Sequence, residues 1–162
     1  MLLLISDANI LIDIEVGELI APMFSLGYQF TVPDVLFYEE LEEQHAHFLE
    51  LGLQVQGLDE KGILRVQALS QTYKSPSRND LFALVLAENK KCPLLTGDAA
   101  LRRAAESENL HVNGTLWLIS EMVREQRITT KVARAALKKM QDSGRRLPWH
   151  LVDSILAPFD KT

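Results

Sequence analysis

Short apolar runs recur along the chain at residues 2–6, 28–32, 53–58, 94–96 and 110–112, and longer stretches of helical spacing lie between them. Runs of this length read as strands, and the stretches between them read as amphipathic helices at 9–26, 35–51, 60–73, 79–90, 99–108 and 115–125. Gly17 and Pro22 are expected to break the first helix. The first run is continuously apolar, the pattern of a central strand covered on both faces. Pro93 suits the approach to the fourth strand and not its interior. Strands alternating with helices predict an α/β domain with a mostly parallel central sheet. Two further helices, 129–142 and 149–156, follow without an intervening strand, separated by Ser143-Gly144 and Pro148. They predict a helical extension over about 129–158 on a core of about 1–128, the whole of 1–162 forming one domain.

Composition narrows the class. The chain has 162 residues, 47% of them hydrophobic and 24% charged, with no low-complexity stretch, as in a globular protein. The opening MLLLI lacks a preceding positive charge and runs into Ser6 and Asp7, so it reads as a strand and not a signal peptide. No apolar run approaches the ~20 residues of a membrane span. A lone cysteine, Cys92, together with no export signal, predicts a cytoplasmic protein in which Cys92 is a small buried side chain. Charge is unevenly placed: residues 1–60 hold twelve Asp or Glu and no Lys or Arg, whereas 124–146 hold eight Lys or Arg against Glu125 and Asp142. An acidic cluster favours a cation and a basic face favours a polyanion or an acidic partner; solvated helix faces give the same pattern.

Three aspartates fall where chemistry is expected. Asp7 directly follows the first strand, Asp98 follows the strand ending at Thr96, and Asp80 opens the helix before Lys90. Loops at the carboxyl ends of parallel strands converge on a crevice, so these carboxylates meet if the sheet forms. Each also reads as a helix cap, with Asp80 near a capping-box spacing from Ser77. The glutamates of FYEELEE, residues 37–43, have no such excuse; at helical spacing Glu39 and Glu43 share a face while Glu40 points elsewhere. Two unit charges ~4 Å apart repel by about 4 kcal/mol at an effective dielectric of ~20, so clustered carboxylates take up protons or bind a cation. An all-oxygen set suits Mg²⁺ or Mn²⁺, and the chemistry that follows is metal-assisted phosphodiester hydrolysis.

Four segments, LLLISDANILID at 2–13, VPDVLFYEEL at 32–41, SRNDLFALVLAEN at 77–89 and LLTGDAALRRAAE at 94–106, resemble in order and spacing the four acidic motifs of PIN-domain proteins. The stretch LHVNGTLWLISEMVREQRI at 110–128 resembles the strand, Gly-Thr turn and helix that follow in a prokaryotic subgroup. The resemblance implies a Rossmann-like three-layer fold and an Mg²⁺- or Mn²⁺-dependent ribonuclease. It assigns Asp7, Glu40, Asp80 and Asp98 as the catalytic, metal-holding acids, with Glu39 and Glu43 as alternates to Glu40. Asn9 is then the residue that orients Asp7, and Thr96 the hydroxyl before the last acid. Similarity to VapC-type toxins implies RNA as substrate, a small antitoxin that inserts a basic side chain among the acids, and homodimers formed through apolar surface on the first and third helices. A PIN-like module that binds without turnover is the alternative. A phosphoacceptor receiver domain fits poorly, since no Lys follows the last strand and the acid pair near the N-terminus is missing. His45 and His47, two apart on one helix, are not expected to share a ligand face; with His111 and His150 they read as ordinary. Trp117 and Trp149 read as core residues or base-stacking platforms, and Arg102 and Arg103 as solvent-exposed residues or phosphate contacts.

Overall fold

A computed structural model describes residues 2–160. Five strands, β1 (Leu2–Ser6), β2 (Tyr28–Pro33), β3 (Gln54–Gln56), β4 (Leu94–Leu95) and β5 (Val112–Asn113), form one all-parallel sheet in the order β3-β2-β1-β4-β5. The helices in chain order are α1 (Ala8–Val16), α2 (Ile20–Phe24), the short α3 (Asp34–Leu36), α4 (Glu42–His45) and α5 (Phe48–Leu51), then α6 (Glu60–Thr72), α7 (Arg78–Lys90), α8 (Ala99–Ser107), α9 (Thr115–Arg124), α10 (Thr130–Asp142) and α11 (Val152–Leu156). Side chains alternate across the pleat. Leu4 and Leu95 therefore enter a core made with α1, α2, α9, α10 and α11, while Ile5 and Leu94 enter a second core made with α6, α7 and α8. The result is the expected three-layer α/β arrangement, with helices on both faces of a parallel sheet.

Two packing features fix where the later chemistry sits. Leu81 to Ala87 of α7 are buried without a polar interruption, so this helix is enclosed by the sheet and its neighbours and its first turn cannot drift. On the other face, α10 lies against α1 and contributes Ala133, Ala136, Leu137 and Met140 to the same core as Leu4. Gly17, just past α1, permits that approach: a Cβ there would stand 2.6 Å from Met140 Cε and 3.2 Å from Ala136 Cβ. The helices after residue 128 thus complete the core on this side of the sheet. They also cover α1, so of the two helices expected to offer apolar surface only α6 does so, through Ile63 and Leu64.

Two helical readings change in register. The 9–26 stretch breaks at Gly17 to Leu19, where Glu18 adopts a φ of 60°, while Pro22 sits in the first turn of α2, where no intrahelical bond is lost. The 35–51 stretch is not one straight helix. After α3 comes a π-helical turn, Phe37–Leu41, in which the Glu42 N–H donates to Phe37 O. The extra residue rotates everything downstream by about 100°, so α-helical spacing no longer says which glutamates share a face. A second interruption at Ala46 and His47 separates α4 from α5. His45 and His47 consequently do converge, both on Glu15 of α1, against the expectation from their spacing.

Candidate active site

The strand order reverses between β1 and β4, and the crevice beyond their carboxyl ends is where open parallel sheets place their sites. Asp7 leaves β1 directly into α1 and caps it, the Ile10 N–H donating to Oδ1 at 3.0 Å. Its other oxygen accepts from the Thr96 hydroxyl at 2.5 Å. Thr96 is fully buried and accepts in turn from the Asp98 N–H at 3.0 Å, so one hydroxyl ties the loop after β1 to the loop after β4. Asp98 caps α8 through Oδ2, which accepts from the Leu101 N–H at 2.8 Å, a cap that needs only one of its oxygens. Asp80 forms a complete capping box with Ser77, the two bonds being 3.1 and 3.0 Å. Capping holds each carboxylate still, so cap and site residue are compatible roles here.

The electrostatics report which acids are neighbours. Burial pushes Asp7 up from the usual 3.8 to about 6, against the hydrogen bonds from Thr96 and Ile10, and the charges of Asp80 and Asp13 push it further. Burial also raises Asp80, opposed by its bonds to Ser77 and reinforced by the charge of Asp98. Asp7, Asp80 and Asp98 therefore form one electrostatically coupled set with more negative charge than its hydrogen bonds neutralise. Glu40 is exposed and accepts from Asn79 Nδ2 at 2.8 Å, next to Asp80; Glu39 faces Arg78, its Oε2 3.9 Å from Nη1. Both glutamates thus reach the first turn of α7 through the π-helical turn. Asn79 leaves its Oδ1 without a partner, an unfilled polar position beside the acids.

Asp13, which lies outside the acidic residues singled out above, joins this region. It is buried, and it accepts from Thr115 at 2.9 Å and from Arg145 Nε at 2.5 Å. Burial raises its pKa, while Arg145 and Thr115 pull it back. Arg145 also reaches Asn9, with Nη2 3.3 Å from Oδ1, while the Thr96 hydroxyl donates to Asp7. A signal was available: Asn9 and Asp13 lie at i and i+4, and Asp13 interrupts an otherwise apolar face. Arg145 arrives through the end of α10, where Gly144 at φ 83° lets the Arg145 N–H return to Met140 O at 2.9 Å and the Gly144 N–H to Gln141 O at 3.0 Å.

Beside the acids run two adjoining cavities. One, of about 300 Å³, is lined by Asn9, Asp13, Asp98 and Arg145; the other, of about 410 Å³, by Thr96, Arg102, Trp117 and Leu147, with Arg146 on both. Trp117 and Trp149 also pack against the core, and Arg103 is exposed. A larger cavity, about 650 Å³, lies between the turn after β3 and α7 and holds none of these carboxylates. The donor set is all oxygen, which fits a hard divalent ion. Among the described residues these aspartates do not bring three carboxylate oxygens within 4.8 Å of one another. Such spacing suits an ion that keeps part of its water shell.

The chain matches the family model DUF3368, a PIN domain, over residues 3–161, so it belongs to the PIN-domain family. PIN domains are typically nucleases and usually use divalent metals. The match includes α10 and α11. Comparison with the curated proteins gave no match. Among the described residues no helix is long and apolar enough to cross a membrane.

Proposed function

We propose that this chain is a metal-dependent endoribonuclease that hydrolyses RNA phosphodiester bonds and acts as the toxin of a toxin-antitoxin pair. The observation that carries the reading is Asp7, held from both sides by Thr96 and Ile10 and still raised to about 6 by burial and by Asp80. A site so short of positive charge, beside a groove lined by Arg102, Arg145 and Arg146, suits a cation together with a phosphate backbone. Asp7, Asp80, Asp98 and Glu40 would hold Mg²⁺ or Mn²⁺, which when bound lowers the pKa of water and neutralises charge at the leaving oxygen. Thr96 keeps Asp7 and Asp98 in one fixed relation, and the α8 cap holds the Asp98 carboxylate in place. Arg102 and Arg146 hold substrate phosphates on the side of the groove away from α7.

The acidic first sixty residues favour a small basic antitoxin as partner, and Ile63 and Leu64 on α6 favour a homodimer contact. The test is cleavage of a structured RNA by purified protein in Mn²⁺ or Mg²⁺ beside Asp7→Asn and Asp98→Asn. The expected result is cleavage that needs the metal and falls on the order of a hundredfold or more in each variant. Equal cleavage by all three proteins overturns the proposal. The Arg145 contact to Asp13 and Asn9, which occupies part of the groove, favours the second reading, a PIN-like binding module without turnover. An RNA-binding protein that cleaves nothing in either metal would establish it.

A further inference from the structure

The corner between α4 and α5 brings together three side chains that the acidic site does not use. His45 Nδ1 lies 3.0 Å from Glu15 Oε1, and His47 Nε2 lies 2.5 Å from Glu15 Oε2. One ligand atom from each residue lies within 4.8 Å of the other two. The imidazoles are set by a common anchor: fully buried Phe48 stacks on His45 with centroids 5.2 Å apart and planes at 18°, and meets His47 edge-on at 4.8 Å and 63°. All three side chains keep some access to water, at 13% for His45, 50% for His47 and 31% for Glu15.

We infer that Glu15, His45 and His47 form a second metal site, distinct from the acidic crevice and selective for a borderline transition ion such as Zn²⁺. Two imidazole nitrogens and one carboxylate are the donors that Zn²⁺ takes in three-ligand sites, whereas Mg²⁺ prefers oxygen alone. Ligand atoms ~2.0–2.1 Å from a tetrahedral ion stand about 3.3 Å apart, so taking up the ion moves the half-exposed His47 ring back from Glu15 by ~1 Å. The fourth position is open to water. Glu15 lies eight residues beyond Asp7, about 12 Å along the α1 axis and about 80° around it, so the two sites are separated along the length of one helix. An ion here would cross-link the end of α1 to the corner that follows the turn bearing Glu40.

The test titrates the metal-stripped full chain with Zn²⁺ in excess Mg²⁺, by calorimetry and by thermal melting, with Co²⁺ absorption as a report of four-coordinate geometry. The expected result is one equivalent of Zn²⁺, a midpoint raised by roughly 10 °C at a thousandfold excess over Kd, and a tetrahedral Co²⁺ spectrum. Loss of a residue that merely supports a ligand costs up to about a hundredfold in affinity, so His47→Ala, which removes a ligand, and Glu15→Gln should each cost on the order of a hundredfold or more. Asp98→Asn should leave Zn²⁺ binding unchanged. Retained affinity in folded His47→Ala, affinity lost in Asp98→Asn, or no binding at millimolar Zn²⁺ overturns the inference and leaves the three residues as a hydrogen-bonded corner.

Discussion

Asp7 is 2% exposed, and burial pushes its carboxyl up from the usual 3.8 to about 6. A raised folded pKa means that the native state binds the proton more tightly, so stability from this group is full below about pH 4 and is lost as pH rises through about 6. The shift corresponds to about 3 kcal/mol. In EDTA, Asp7→Asn should therefore be more stable than the parent by about 2–3 kcal/mol at pH 8, the difference shrinking toward zero at pH 4, as urea unfolding at the two pH values would measure. A difference independent of pH would mean that Asp7 is already neutralised. The Thr96 hydroxyl works in the opposite direction, since it is the strongest bond lowering this pKa. Its place was implied by family likeness, but its two hydrogen bonds, one donated to Asp7 and one accepted from the Asp98 N–H, needed the tertiary structure, because residues 7 and 96 meet only across the sheet.

At the level of elements, boundaries followed the sequence wherever local signals agreed. Asp7 before α1, Ser77 with Asp80 and Asp98 before α8 all read as caps and all act as caps. The stretch after β2 did not behave this way, because a π-helical turn and a two-residue break leave no mark in apolar spacing. That is why His45 and His47 were misplaced by helical geometry. The contact between α1 and α10 is likewise invisible in either helix alone. Gly17→Ala keeps an ordinary φ and gains about 0.4–1 kcal/mol from the unfolded chain, but it crowds Met140 and Ala136, at a cost of about 1–3 kcal/mol. Net destabilisation of about 1 kcal/mol in urea unfolding is expected, largely relieved when Met140 is also shortened to Ala, which a double-mutant cycle would reveal as coupling.

Across the whole molecule, Asp13 and Arg145 join the first helix to the last third of the chain. The Asp13 carboxylate is 7% exposed and already raised by burial, so removing its cation leaves a poorly compensated charge. Arg145→Ala should cost about 1–3 kcal/mol at pH 8 and less toward pH 5, since Asp13 then takes up a proton more readily; Asp13→Asn added to it should remove that pH dependence. Urea unfolding across the pH range checks this. The same ion pair ties the basic stretch to the acidic groove, which Arg146 also lines.

Alternating apolar runs and helical stretches were enough to determine a parallel α/β sheet, since burying a strand on both faces demands helices on both sides. The acidic motifs singled out Asp7, Asp80 and Asp98; Asp7 and Asp98 sit where a strand ends and a helix begins, and Asp80 sits in the first turn of α7, which follows another helix. Three things were decided only by the tertiary structure: the place of Asp13 and Arg145, the partner of Asp7, and the meeting of His45 and His47 on Glu15. Each depends on residues far apart in sequence, or on a helical irregularity whose stability comes from packing and not from local preference.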